Sequence, residues 1–188
     1  MFIPTIQEST SNGEKVYDIY SKLLENRIIF INGEINDSLS NLVISELLYL
    51  NSINHNDIDM YINSPGGSVT SGLAIIDTMN YIKSNVRTTV VGMAASMASL
   101  ILASGTKGKR YSLKNSEVMI HQPLGNTSGQ ATDIEIQAKR IVNKKKMLNK
   151  MLSSLTKQPL DKIENDTERD KYLSSKEALE YGIIDEII

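Results

Sequence analysis

The chain has 188 residues, a formal net charge of −2 and no cysteine. This length suits one domain with a full core, and the charge shows no basic surplus that would point to nucleic acid. The missing cysteines exclude thiol catalysis, disulfides and cysteine-ligated zinc, and two distant histidines, His55 and His121, disfavour a histidine metal site. No apolar run approaches the roughly 18 residues of a membrane span, and residues 1–12 lack the pattern of a secretory signal. We therefore expect a cytoplasmic protein without a metal.

Strand-like and helix-like segments alternate along the chain. Residues 1–13 are polar and predict a flexible N-terminal arm, and the polar loop 51–57 predicts an exposed His55. The elements predicted from spacing and composition are a helix over 16–24, a strand over 27–31, a helix capped by Asp37 or Ser38, a strand over 58–62, a helix over 69–79, a strand over 86–91, a helix from about Ser96 to Ala103 and a strand over 117–120. The alternation predicts an α/β fold with a largely parallel sheet.

A long helix is predicted over 132–155. Thr132 and Glu135 have the spacing of a capping box. Lys144-Lys145-Lys146 fits either a solvated face, the interpretation that we favour, or an inter-subunit contact. One narrow apolar seam predicts either a core helix on the sheet or an arm that packs against another subunit. The seam residues recur every seven positions: Ile134, Ile141, Leu148 and Leu155. Further along, Ser174 to Glu177 predicts a second capping box, and Gly182 predicts a helix end.

Ser96 and His121 are the candidates for chemistry. Ser96 stands in the small, apolar run 92–99, and His121 follows the apolar run 117–120. A serine becomes a nucleophile when a base takes its proton and a third group orients the base. A serine that opens a helix also lies beside free N–H groups that can stabilise an oxyanion. Each residue taken alone has a structural explanation, as a small packing serine or a satisfied histidine, and the pair leaves both interpretations open.

The turn Ser64-Pro65-Gly66-Gly67-Ser68 adds a possible anion-binding element. Adjacent glycines between a strand and a helix let backbone N–H groups approach a developing negative charge, although a tight turn explains them equally. The turn lacks the phosphate-loop pattern, and Ser96 lacks the Gly-x-Ser-x-Gly pattern of an α/β-hydrolase. Spacing alone does not choose the orienting carboxylate among Asp161, Asp166, Asp170 and Asp185.

Taken together, these segments resemble the ClpP family, the proteolytic subunits of Clp proteases in peptidase family S14. The resemblance extends over almost the whole chain, in order. The stretches that carry it are 17–21, 27–30, 61–69, 92–97, 107–111, 119–123, 129–134, 166–170 and 180–182.

The resemblance implies one ClpP-like domain over 1–188 with the ClpP/crotonase fold. This fold stacks parallel-sheet ββα units, and a handle helix over about 130–156 protrudes for contact between rings. The implied site roles are Ser96 as nucleophile, His121 as general base, Asp170 as orienting carboxylate, the N–H groups of Gly67 and Met97 as oxyanion hole, and Leu124 and Gly125 on a strand that pairs with extended substrate.

The resemblance also implies an assembly. Two seven-membered rings of this chain would stack, or mixed rings would form with another ClpP, and Glu168 and Arg169 match ring–ring contacts. An ATP-driven unfoldase of the Hsp100 class would dock on the outer face and deliver unfolded polypeptide. ATP belongs to that partner, so the subunit itself needs no cofactor. The aromatic positions implied for docking are Tyr61, Tyr81 and Tyr111.

Several positions depart from the family pattern. Ala98-Ser99 replaces Gly-Ala beside the nucleophile, and Asp59 replaces an aromatic residue of the docking pocket, where a buried carboxylate is costly. Asn126-Thr127-Ser128 replaces a glycine-rich run, and 51–56 replaces a charged loop. These changes would suit a diverged second copy.

Three functions therefore remain open at the level of sequence. The first is an ATP-assisted serine endopeptidase that cuts unfolded proteins into short peptides. The second is a structural or regulatory subunit of a mixed ring, which the departures motivate. The third is a crotonase-type acyl-CoA enzyme, which leaves the joint presence of Ser96, His121 and Asp170 unexplained.

Overall fold

The computed structural model describes residues 3–10 and 13–188 of the chain. The predicted flexible arm contains strand β1 (Thr5–Thr10), which pairs antiparallel with β2 (Gly13–Asp18); residues 1, 2, 11 and 12 of that arm lie outside the described part. The helix predicted over 16–24 was wrong at its start, because Val16 belongs to β2. Helix α1 (Ile19–Glu25) begins only after Asp18, whose carboxylate accepts a hydrogen bond from the Ser21 N–H at 2.9 Å.

The central sheet is parallel except at one pair. Its strands are β3 (Ile28–Asn32), β4 (Ile58–Ser64), β5 (Val86–Ala95), β6 (Arg110–Ser112), β7 (Glu117–Ile120), β8 (Lys171–Ser174) and β9 (Glu186–Ile187). The order is β3-β4-β5-β6-β9, while β7 pairs with the last residues of β5 and β8 pairs antiparallel with β7. Strand β5 thus carries β6 along its first half and β7 along its end, which brings the chain after β5 beside the chain after β7.

Helices cover one face of this sheet. Along β4, Ile58, Met60 and Ile62 are fully buried in the core shared with the helices, and the alternate residues Asp59 and Tyr61 are half-buried on the opposite face. The helices after α1 are α2 (Asp37–Ile53), α3 (Val69–Tyr81), α4 (Met97–Ala103), α5 (Ala131–Thr156), α6 (Leu160–Asp166) and α7 (Ser175–Tyr181). Among the described helices, none is both long and apolar enough to cross a bilayer.

Helix α2 differs from its predicted ends. Its N-cap is Asn36, whose side chain accepts from the Leu39 N–H, rather than Asp37 or Ser38. It also extends to Ile53, so part of the predicted polar loop is helical. The side-chain oxygen of Asn51, Oδ1, accepts hydrogen bonds from the backbone N–H groups of Lys83 and Ser84, at 3.0 and 3.2 Å. This tertiary anchor holds the last turn of α2 against the chain that enters β5.

Helix α5 is half packed and half protruding. Leu148 and Leu152 near its C-terminal end are 7% and 3% exposed, whereas Ile134 and Ile136 near its start are 39% and 56% exposed. The helix begins at Ala131 without a side-chain cap, so the capping box predicted at Thr132 was wrong. The second predicted capping box, at Ser174, is confirmed, and Gly182 ends α7 at φ 86° as predicted.

Candidate active site

Ser96 occupies a strained turn between β5 and α4. Its φ of 55° and ψ of −121° lie in a sparsely populated region, a conformation that costs a non-glycine residue roughly 1–3 kcal/mol. Its N–H donates to the Met119 carbonyl at 2.8 Å, and its carbonyl accepts from the N–H and the hydroxyl of Ser99 at 3.1 and 2.6 Å. These three bonds hold the turn in place, and such over-determined strain is typical of functional positions.

His121 and Asp170 reach Ser96 through strand register. Ile120 pairs with Lys171 across the antiparallel β7–β8 ladder, so His121 and Asp170 face each other one residue further on. His121 Nε2 lies 2.8 Å from Ser96 Oγ, and His121 Nδ1 lies 2.9 Å from Asp170 Oδ1. The histidine side chain is 13% exposed and the aspartate side chain 56%. The structure therefore brings the three residues into one hydrogen-bonded series.

The other candidate carboxylates have different neighbours. Burial alone would raise the pKa of Asp185, but two hydrogen bonds from the Arg110 guanidinium outweigh that effect and lower it. Burial alone would also raise the pKa of Asp166. Hydrogen bonds from Lys162, Lys171 and Tyr181 outweigh burial and lower this pKa to about 2. Both aspartates are thus structural anions. Asp161 lies in the first turn of α6, and of the four carboxylates only Asp170 is hydrogen-bonded to His121.

The glycine turn lies directly against Ser96. A Cβ on Gly66 would come within 2.7 Å of Ser96 Cβ, and a Cβ on Gly67 within 2.3 Å of the Ile35 carbonyl oxygen. Gly67 forms a parallel bridge with Ile35. In this bridge the Ile35 N–H donates to the Gly66 carbonyl, and the Ser68 N–H donates to the Ile35 carbonyl. The N–H of Gly67 consequently points away from Ile35. The Met97 N–H, in the first turn of α4, likewise has no intrahelical acceptor.

A cleft of about 490 Å³ opens over Ser96 and His121. One wall is the irregular segment after β7, where Leu124 is 84% exposed and Gly125 packs so closely on Ile141 of α5 that a Cβ would lie 2.3 Å from Ile141 Cδ1. Leu124 and Gly125 are irregular, and no described strand of the chain lies beside them. Their expected pairing is with substrate, so it stays a prediction. The remaining lining residues are Pro65, Gly67, Ser68, Val69, Thr70, Pro123, Asn126, Gln137, Arg140 and Lys144.

A second, small cavity of about 20 Å³ adjoins Ser96. Its walls are mostly apolar, and Asn149 and Thr167 form a polar end, with the Thr167 hydroxyl 3.2 Å from Asn149 Oδ1. Sequence reasoning missed both residues. The available signal was Asn149 itself, a polar residue next to the seam position Leu148. In the structure it is only 3% exposed.

The implied docking tyrosines are placed differently from one another. Tyr61 and Tyr111 share one sheet face, each in register with Thr89, and Tyr61 stacks on Phe30 at 5.8 Å. Tyr61 lines an apolar groove of about 480 Å³ with Leu23, Ile28, Phe30, Asn32, Ile62, Asn63 and Val91. Tyr81 ends α3, is 81% exposed and does not line this groove.

Two further predicted positions have partners within the chain. Asp59 forms an ion pair with Arg87 at 3.2 Å, which offsets the cost of its partial burial. Glu168 binds Lys145 of α5 at 2.6 Å, and this hydrogen bond lowers the pKa of Glu168. Arg169 is 85% exposed at its side chain and donates to the Glu168 carbonyl.

Lys144 and Lys145 are half-buried, so the expected solvated face does not extend to them.

The sequence matches the family model described as Clp protease over residues 11–188. The chain belongs to the Clp protease family. The predicted resemblance is thereby confirmed, and so is the α/β fold with a mostly parallel sheet. Membership makes the chain a hydrolase of the protease class, in a family of serine peptidases.

Proposed function

We propose that this chain is the proteolytic subunit of an ATP-dependent Clp protease, a serine endopeptidase that cuts unfolded polypeptides into short peptides. The observation that carries the proposal is the hydrogen-bonded series from Ser96 Oγ through His121 to Asp170. A hydroxyl 2.8 Å from an imidazole nitrogen has a base in reach, and the second imidazole nitrogen has a carboxylate that orients it.

Acylation begins when Ser96 Oγ attacks the scissile carbonyl carbon. His121 Nε2 takes the hydroxyl proton as the new C–O bond forms, and the carbonyl oxygen becomes an oxyanion. We assign the oxyanion hole to the N–H groups of Gly67, which points away from Ile35, and of Met97, which has no intrahelical acceptor. His121 then protonates the amine that leaves, and an acyl-enzyme on Ser96 remains. Deacylation repeats these steps with water as the attacking group.

Asp170 acts on His121 rather than on the substrate. With its Nδ1–H donated to Asp170 Oδ1, the imidazole presents an unprotonated Nε2 to Ser96. The carboxylate also stabilises the imidazolium that forms when the proton is taken. Since no metal or organic group takes part in these steps, the subunit works without a cofactor.

The assembly is part of the same proposal. The exposed start of α5, with Ile134 and Ile136, supports a handle that packs between two stacked seven-membered rings. Glu168 and Arg169 are further ring–ring contacts in this proposal. The apolar groove at Tyr61 supports docking of an Hsp100-class ATPase, and that ATPase consumes the ATP. Tyr81 and Tyr111 are further docking positions outside the residues that line this groove. Leu124 and Gly125 border the cleft and pair with extended substrate when it enters. We place the complex in the cytoplasm.

The proposal is tested with a short fluorogenic peptide, which needs no unfoldase. We expect the assembled wild-type chain to hydrolyse it, the Ser96→Ala variant to assemble but remain inactive, and Ser45→Ala, on the exposed part of α2, to match the wild type. Assembly size is read on the same samples. Hydrolysis that survives in Ser96→Ala, or a correctly assembled wild type that is silent, would contradict the proposal.

A second candidate is a structural or regulatory subunit of a mixed ring. The Asp59–Arg87 ion pair favours it, because it sets two charges on the sheet face that carries Tyr61. In that case the wild-type chain would stay below double-ring size alone, and it would complete rings with another ClpP chain that supplies the docking surface. Size measured with and without that chain separates the two candidates.

A further inference from the structure

We propose that the cleft over Ser96 selects peptides with acidic side chains close to the scissile bond, through Arg140 and Lys144. This inference rests on the proposed function of Ser96 and names its substrate class. Both cations lie on α5 and are separated by four residues, so they project from the same face of the helix. Both line the cleft.

The basic residues next to them on α5 are neutralised, but these two are not. Lys139 binds Glu135 at 2.6 Å and Lys145 binds Glu168 at 2.6 Å. Within the described part of the chain, neither Arg140 nor Lys144 has a carboxylate within ion-pair distance. Lys144 Nζ instead contacts the neutral hydroxyl of Thr70 at 3.2 Å, on the opposite wall of the cleft.

No carboxylate is among the described residues that line the cleft, and Asp170, behind His121, is hydrogen-bonded to that histidine. The lining of the cleft has two cations and neutral polar side chains such as Gln137 and Asn126. Same-sign charge in a cleft with low-dielectric walls raises the local concentration of an oppositely charged ligand. The half-buried position of Lys144 also lessens the screening of its charge by solvent. An acidic substrate side chain would supply the carboxylate that both cations, Arg140 and Lys144, lack.

The geometry limits where the acidic residue lies. A peptide attacked by Ser96 runs through the cleft between the turn around Gly67 and the segment around Leu124, beside the α5 face that carries the cations. The small cavity adjoining Ser96 is lined by no cation and is mostly apolar. The preference for acid therefore applies to substrate positions other than the one whose side chain enters that cavity.

The test compares fluorogenic peptides of equal length that carry Asp, Asn or Lys at each position flanking the scissile bond. At one or more positions we expect kcat/KM for Asp to exceed that for Asn by roughly 3- to 20-fold, the range of one or two partly exposed ion pairs. Lys should lower it, and added salt should shrink both differences. Arg140→Gln and Lys144→Gln should each reduce the Asp-to-Asn ratio, while Lys139→Gln, one residue away and paired with Glu135, should leave it unchanged.

The outcomes separate the two proposals. Hydrolysis of all peptides with an Asp-to-Asn ratio near one at every position overturns the acidic preference and leaves the peptidase proposal standing. If no peptide is hydrolysed, the peptidase proposal fails, and binding of the Asp and Asn peptides to assembled Ser96→Ala, measured by fluorescence anisotropy, still decides the preference. Equal affinity in that measurement overturns it.

Discussion

His121 and Asp170 face each other one residue beyond the paired ends of β7 and β8, with Nδ1 2.9 Å from Oδ1. The ladder that aligns them ends at Ile120 and Lys171, and Lys171 is in turn bound to Asp166. The position of a half-exposed carboxylate is thus set by main-chain pairing and by a neighbouring ion pair. A shift in the register of β8 relative to β7 would separate Asp170 from His121.

Asp170→Asn should lower kcat while the fold is retained. The amide cannot hold the imidazole in the tautomer that accepts the serine proton, and it does not stabilise the imidazolium. We expect a fall of roughly 100- to 10,000-fold in kcat, the range of orienting-carboxylate losses in serine peptidases. The measurement is steady-state hydrolysis of a short peptide. Glu164→Gln, at an exposed position on α6, is the control. If kcat of Asp170→Asn is within two-fold of that control, a difference of about 0.4 kcal/mol in activation free energy, Asp170 does not have this role.

Gly67→Ala should destabilise the protein more than Gly108→Ala. Both glycines have positive φ, which disfavours a residue with a Cβ by roughly 1–3 kcal/mol. Only Gly67 also meets backbone, with the new Cβ 2.3 Å from the Ile35 oxygen, while Gly108 has nothing within 4 Å. Chemical denaturation of the two variants measures the difference in the free energy of unfolding. Equal losses would mean that the turn relaxes around the new methyl group.

Substitution of an apolar side chain by alanine should have different effects in the two halves of α5. Leu152→Ala removes a side chain that is 3% exposed and should cost about 2–5 kcal/mol of the free energy of unfolding. Ile136→Ala, at 56% exposure, should change that free energy little but weaken assembly if the handle packs between rings. Denaturation and size measurement on both variants test this. An Ile136→Ala chain that assembles as tightly as the wild type would remove Ile136 from the ring contact.

Acid should destabilise the fold partly through Asp166. Its folded pKa of about 2 lies below the ordinary value of 3.8, so it contributes stability above pH 3.8 that is lost as the pH falls towards 2. In Asp166→Asn we expect a lower free energy of unfolding at neutral pH and a shallower decline over that window. Unfolding curves recorded across the window measure the slope. Glu164→Gln on the same helix should keep the wild-type slope, and an Asp166→Asn slope equal to the wild type would contradict the assignment.

Local patterns in the sequence were enough to predict most of the elements. Strand β7 and the long helix α5 follow from runs and periods that depend only on nearby residues, and so does the capping box at Ser174. Errors arose where distant partners decide the conformation. Val16 is extended because β1 pairs with it, and α2 reaches Ile53 while Asn51 binds the chain before β5. Leu124 is irregular and has no described strand beside it; the pairing expected there is with substrate and stays a prediction.

By itself, the sequence determined the α/β class and singled out Ser96 and His121 as candidates for chemistry. Apart from the resemblance, it did not show which of four carboxylates orients His121. It also showed neither the polar Asn149–Thr167 end of the small cavity nor the cations over the cleft. The tertiary structure decided these points, because each joins residues that are far apart in the chain and meet only through the pairing of β5, β7 and β8 and the docking of α5. Local patterns set what each segment becomes, and long-range packing sets which side chains meet.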